Sequence, residues 1–298
     1  MRNYFFIPAI LLFFILIYPA LPVDQSIEGK IKKGYYLSIF SNDNYIDWSS
    51  GYIAASAKVK IPRIIFNSDH PDYKKPGTAL SISDARAVSR EKARELAELK
   101  LMEMILSMNM DSEDTVRHKM QKDSSFRDRM GFLSSKFKIK SVKSNQGFVT
   151  IELAIPFTGS RGFYSVIIGN YYNTESIPAF PKSDIRHEIS GIIIDLSEFE
   201  NYKPVLEPRI FTDQGRLIYG PETLRPEIAV QRGMVSYHTD HDRAVADNRS
   251  GLKPYYLYAS YVKNGNIYLD SEEVKRILSS SSGVRSFQMA KIVLILHR

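Results

Sequence analysis

The string "YHTDHDR", residues 237–243, gathers residue types that bind metals or move protons: His238 and His241, alternating with Asp240 and Asp242. Two imidazoles three apart are aimed at one ion when both project from the same face of one helix. Acids at a helix start have another use, because they cap free backbone N–H groups and complement the helix dipole. A helix beginning at Thr239 or Asp240 and running to about Asn248 leaves His238 outside it, and the shared geometry is lost. No HExxH and no third ligand at metal spacing lies nearby. The chain also lacks GxSxG, a Walker loop and a GxGxxG after a strand. Glu198 with Glu200, and Glu272 with Glu273, fall in turns or helix starts, where carboxylates are ordinary. Asp195, at the end of an apolar run, is the further acid that burial could perturb, and a hydrogen-bonded structural role is expected for it. The expectation is no metal site, no cofactor and no catalytic residue. The rival reading is an exported metal-dependent hydrolase built on Asp195, His238 and His241.

What surrounds these residues is an ordinary globular composition, 44% hydrophobic and 24% charged, enough for a real core. At 298 residues two domains fit better than one. The net charge of +7 favours acidic partners. The cations are dispersed with no run of five, so a solvated basic surface is expected rather than nucleic-acid binding. With 18 Tyr and 16 Phe against one Trp, the aromatics favour β-rich structure. Cysteine is absent, which excludes disulfides, thiolate metal sites, thiol catalysis and a lipid-modified N-terminal cysteine.

The N-terminus, "MRNYFFIPAILLFFILIYPALPVDQS", carries Arg2 and then an apolar stretch from about Tyr4 to Val23, ended by Asp24. Its strongest part, Phe5 to Tyr18, has the length of a signal-peptide core. Cleavage after Ala20 would place bulky Tyr18 at −3, and cleavage after Ser26 would place Asp24 there. Residues 1–25 therefore read either as a signal peptide or as an uncleaved membrane anchor, and both place the remaining chain outside the cytoplasm.

Downstream, residues 26–180 read as strands, a helix, then strands. "YIAASAKVKIP" is a strand, and residues 67–78 are loop by composition. "SDARAVSREKARELAELKLMEMILSMN" is the long helix, capped by Ser83 or Asp84, with Ala93, Ala97, Leu101, Met104 and Met108 as its apolar stripe. A polar helical stretch, Glu113 to Leu133, precedes a hairpin turning at Asn145-Gln146-Gly147. In its first strand Lys136, Lys138 and Lys140 alternate with Phe137 and Ile139, a solvated face by default. A boundary falls in the proline-containing residues 171–184.

Residues 181–298 then give "SGIIIDL" as a buried strand, two strands across Asp213-Gln214-Gly215 and two more across Asn264-Gly265. A helix follows, with Asp270 as cap and Glu273 as capping-box acid, and "RSFQMAKIVLIL" is the terminal strand. The fold class expected is α+β: two small modules, each an antiparallel or mixed sheet packed with one or two helices.

The stretch "DWSSGYIAASAKVKIP", residues 47–62, resembles the bacterial envelope lipoprotein family called Lpp-twenty. Asp47, Trp48, Gly51, Ile53, Ala55, Ala85, Ala87, Ala93 and Ala97 carry the likeness, with Ser56-Ala57 where a Gly is usual. It continues through the "VTIELAIPFTG" strand and covers roughly Tyr45 to Tyr164. The family is similar in organisation to the N-terminal region of flagellar assembly protein T. "GIIIDL", "KPVLEPRIFTDQGRLIYG" and the run Gly233-Met234-Val235-Ser236-Tyr237 resemble the segment that follows this domain in larger periplasmic homologues.

The resemblance implies a non-catalytic periplasmic or cell-envelope protein working in scaffolding or assembly, in association with the flagellum. Its partners would be envelope or flagellar proteins or copies of itself. Family members are tethered through an N-terminal cysteine, and here residues 4–23 would have to serve, anchoring the chain in the inner membrane. A third reading, from the charge and the Lys136/Lys138/Lys140 face, is a module binding anionic envelope polymers or lipids.

Overall fold

A computed structural model describes residues 33–145, 147–182 and 188–298, so the apolar segment at 4–23 lies outside the described residues. The fold is α+β with several small sheets.

The first module is an antiparallel sheet backed by one long helix. Its chain order is β1 (Leu37–Ser41), β2 (Asn44–Asp47), β3 (Tyr52–Lys60), a short parallel pair β4 (Arg63–Ile64) and β5 (Thr78–Ala79), and helix α1 (Ile82–Ser107). Helices α2 (Val116–Lys122) and α3 (Ser124–Met130), strands β6 (Lys138–Asn145) and β7 (Phe148–Pro156), and helix α4 (Tyr164–Ile167) follow. The sheet order is β1-β2-β3-β7-β6. Along β7, Val149, Ile151, Leu153 and Ile155 are buried at every second position, as a strand with one face on a core must be. They meet the predicted α1 stripe, Ala93, Ala97, Leu101, Met104 and Met108, all buried in the same cluster.

Three local expectations need correction here. The cap of α1 is Ser81, whose hydroxyl accepts from the Asp84 N–H, two residues before the expected start. Lys136 lies in a 3-10 turn, Ser134–Lys136, outside the strand. The register of β6 on β7 then shifts between Ile139 and Ser141, so Lys140 is the extra residue of a bulge. Beyond the bulge the alternation changes phase, and Lys143 joins Lys138 on the outward face.

The second module carries two sheets. In chain order it runs β8 (Gly191–Leu196), β9 (Ile210–Thr212), β10 (Leu217–Tyr219), α5 (Pro226–Arg232), β11 (Ser236–His238) and α6 (His241–Val245). It continues with β12 (Pro254–Tyr258), β13 (Tyr261–Lys263), β14 (Asn266–Leu269), α7 (Ser271–Leu278), α8 (Ser281–Gln288) and β15 (Ile292–Leu296). One sheet, β10-β9-β14-β13, is mixed. The other, β11-β15-β8-β12, is parallel throughout. Both faces of β8 are covered: Ile192 and Ile194 enter the large core, Ile193 a small cluster with Ala244, Val293 and Ile295. That is why the "GIIIDL" pattern is continuous rather than alternating.

Two further differences lie at the C-terminus. "RSFQ" is the end of α8, capped by Ser280, rather than strand. Asp270 does cap α7, accepting from the Glu272 and Glu273 N–H groups, but Glu273 turns its carboxylate to Tyr255 and Arg276 instead of back to the cap.

The two modules share one hydrophobic cluster, from Ile46 and Trp48 to Tyr237 and Leu296. Trp48 is its hinge pin: its ring meets Phe157 edge-on at 5.4 Å and Tyr237 at 5.6 Å. The chain entering β1 is drawn across as well. Tyr35 bridges His238 in antiparallel fashion, and the Thr239 N–H donates to Gly34 O at 3.0 Å. Gly34, at φ +84°, lies so close that a Cβ would stand 2.4 Å from Arg243 Cγ.

Candidate functional site

Strand β11 and helix α6 place the residues of "YHTDHDR", and they send the two histidines apart. His238 closes β11, is buried under the Tyr35 crossing, and holds Nε2 2.8 Å from Asp247 Oδ2. Its Nδ1 has no partner among the described residues. Burial opposes ionisation of Asp247, yet hydrogen bonds from His238 and from the Arg249 N–H hold its carboxyl below the usual range. Asp240 caps α6 through the Arg243 N–H, and Asp242 sits in the first turn. The helix ends at Val245, three residues earlier than expected. His241 is exposed beside the ring of Tyr256, 5.2 Å between centroids. Among the described residues no group of three or more His, Cys, Asp or Glu is placed to hold a metal ion.

Asp195 lies at the carboxyl end of β8, the edge where open parallel sheets commonly bind ligands. Its Oδ1 accepts from the Ser197 N–H at 2.8 Å and its Oδ2 from the Tyr256 hydroxyl. Although desolvation works the other way, these bonds keep its carboxyl below the ordinary range.

A fully buried acid escaped sequence reasoning. Glu207 is 1% exposed. Its Oε1 accepts from Tyr171 and Tyr172 at 2.7 and 2.8 Å, and its Oε2 has no partner among the described residues. Desolvation raises its carboxyl to about 7 against the opposing pull of the two tyrosines, Lys119 and Arg209. The backbone around it is clamped from both modules. The Leu206 and Glu207 N–H groups donate to Asn109 O and Met110 O. Tyr164 donates to Leu206 O, and Tyr237 Oη donates to Val205 O while accepting from Val205 N–H. An acid inside "VLEP", flanked by apolar residues and a proline, is the signal that could have marked it.

Next to this clamp Arg209 donates twice to Glu222 Oε1, at 2.9 and 2.7 Å, and once to Asp111 Oδ2 at 3.3 Å. Arg249 is half-buried and gives its guanidinium to the carbonyls of Arg232 and Ala290. In every one of these clusters the charged group is engaged by the protein's own backbone or side chains, a pattern that joins segments of chain.

The exposed chemistry lies elsewhere, on the outer face of the five-stranded sheet. Lys58 pairs across Thr150 with Lys143, and Lys138 lies further along β6. Lys58 rests over the Phe148 ring at 4.4 Å, and Lys140 over Tyr52 at 5.0 Å. Lys140 is also 3.1 Å from Glu152, whereas Lys58, Lys60, Lys138 and Lys143 make no ion pair among the described residues. Lys58, Lys143, Ser144, Asn145 and Thr150 line a shallow open cleft of about 590 Å³.

A family model described as Treponema pallidum Tp0624, second domain, matches residues 191–298. The match begins at the first residue of β8 and takes in both sheets of the second module, so that module is similar to the second domain of that protein. A comparison with curated proteins found no match. No described helix is long and apolar enough to cross a membrane.

Proposed function

We propose that this is a non-catalytic protein of the cell envelope that works in scaffolding or assembly through protein–protein contact. One observation carries the reading. The long helix α1 buries one side in the core, yet on its outward side stand Val88, 57% exposed, and Leu99, 66% exposed. They are eleven residues apart, about three turns or 16 Å along the axis. Apolar side chains on the solvent side of a helix gain by being covered. The shared core supports the same reading, because two modules packed on one hydrophobic cluster can hold one partner in fixed relation to another. Export through residues 1–25, read from the N-terminal sequence, and a link to the flagellum, which comes with the family resemblance, belong to this proposal.

The test is in-cell cross-linking from a photoreactive residue placed at Leu99. One discrete adduct, to another envelope protein or to a second copy, is expected, and it should vanish when Val88 and Leu99 are both replaced by Glu. A purified chain that stays monomeric and yields no adduct overturns the proposal.

A further inference from the structure

The outer face of the five-stranded sheet has a composition of its own. One row of cross-strand neighbours spans all five strands: Ile39, Tyr45, Ala54, Ala154 and Lys138. Further along come Lys58, Thr150 and Lys143, then Lys60, Phe148 and Asn145. Strands are about 4.8 Å apart, so Lys58 and Lys143 stand about 10 Å from each other. The acids at this face are Glu152, engaged by Lys140, Asp47, buried beside Tyr52 and accepting from the Ser50 N–H, and Asp43 in the turn between β1 and β2. The other border is apolar, with Ile39 44% and Phe40 50% exposed. Aromatic rings, an aliphatic border and unpaired lysines on one surface are what a protein presents to the head-group layer of a bilayer.

We infer that this sheet face, through Lys58, Lys60, Lys138 and Lys143 with Ile39 and Phe40 at its border, docks on an anionic lipid surface. The inference rests on the envelope reading above and adds to it the surface that faces the membrane. Charge complementarity is the first argument: a bilayer rich in phosphatidylglycerol-type lipid attracts each nearby lysine, a factor of about five per lysine. The second is the course of the chain. The apolar stretch ends at Val23, and the described chain begins at Lys33, four residues before β1. The nine residues between can extend at most about 30 Å. Wherever residues 4–23 enter a bilayer, the Tyr35 crossing onto β11 and strand β1 both lie within that reach of it. The lysines also blunt β6 as an open edge, but that role concerns the strand's rim and leaves Lys58 and Lys60, on central β3, without one.

The experiment uses the full chain added to preformed vesicles and reads each lysine's rate of reaction with an amine-specific reagent by mass spectrometry. With phosphatidylglycerol vesicles, Lys58, Lys60, Lys138 and Lys143 should react roughly fivefold more slowly than with neutral phosphatidylcholine vesicles. Lys253 and Lys275, exposed on the second module, should react equally with both. Half-molar salt should remove the protection, since it shortens the screening length to a few ångströms. A Lys58→Glu, Lys138→Glu, Lys143→Glu variant with an unchanged circular dichroism spectrum should lose protection at Lys60.

Equal rates with the two lipids overturn the inference. So does protection by a soluble phosphodiester polymer in the absence of protection by vesicles, which would make the face a polyanion site instead. Cross-links from position 99 are read separately, so loss of lipid protection with those adducts intact removes the docking face alone. Lipid protection without adducts removes the assembly reading alone.

Discussion

The junction between the modules and the outer sheet face hold charged residues under opposite conditions. At the junction Glu207, Asp247, Arg249 and Arg209 are partly or wholly out of water and bonded to their own chain. On the sheet face Lys58, Lys60, Lys138 and Lys143 are in water with no acid against them. Removing a buried group leaves a partner stranded in low dielectric, whereas removing an exposed one changes little inside the fold. Charge in the first region belongs to stability, and charge in the second is available for recognition.

The largest effect that could break this contrast is expected at Trp48. Trp48→Ala should cost about 3–5 kcal/mol, because it empties the contact between Phe157 and Tyr237. Denaturant unfolding followed separately by signals from each module should still give coincident transitions. Two separated transitions in the wild type would show that the modules fold independently.

Glu207 is next. Its folded carboxyl titrates near 7 and its unfolded one near 4.5, so the folded state holds the proton more tightly. Its contribution is fully present below about pH 4.5 and is lost as pH rises toward 7. Two to three pH units correspond to about 3 kcal/mol. The melting temperature of the wild type should fall between pH 5 and 8, and Glu207→Gln should flatten that slope. Asp195 and Asp247, both shifted downward, titrate below this window. Equal slopes in the two proteins would dismiss a buried titrating Glu207.

Asp247→Asn should cost roughly 1–3 kcal/mol by weakening the hold on buried His238. A measured loss under 0.5 kcal/mol would place this pair with the surface charges. The smallest effect is expected for Lys58→Gln with Lys143→Gln, within about 0.5 kcal/mol in urea unfolding. A larger loss would mean that the lysines belong to the fold after all.

Where sequence periodicity was local, the reading transferred to the structure. The α1 stripe, the alternating strand at 148–156, the Asn264-Gly265 turn and the Asp270 cap are all where pattern and turn chemistry place them. The Asn264-Gly265 turn, with φ of 51° and 73°, is of the kind that this dipeptide favours. What could not be read was pairing between distant segments. Parallel order in β11-β15-β8-β12 leaves no mark on any one strand, and "RSFQ" resembles a strand until Ser280 is seen capping α8. The bulge at Lys140 moved the lysine face by one residue, since a single inserted residue reverses the alternation beyond it. Of the residues weighed for chemistry, Asp240 could be read as a cap. The partner of His238 could not, because Asp247 reaches it only through the fold of α6 and the loop after it.

The crossing of Tyr35 onto β11 also sets how the molecule would answer tension. A pull on the N-terminus reaches the second module first, at the Tyr35–His238 bridge and the Thr239 to Gly34 hydrogen bond. These few bonds would open ahead of the long β3–β7 pairing, giving a short extension at low force before the sheet is loaded. Stretching a single molecule by its ends should therefore show a small early release followed by a larger one, the first behaving as a mechanical fuse for the second.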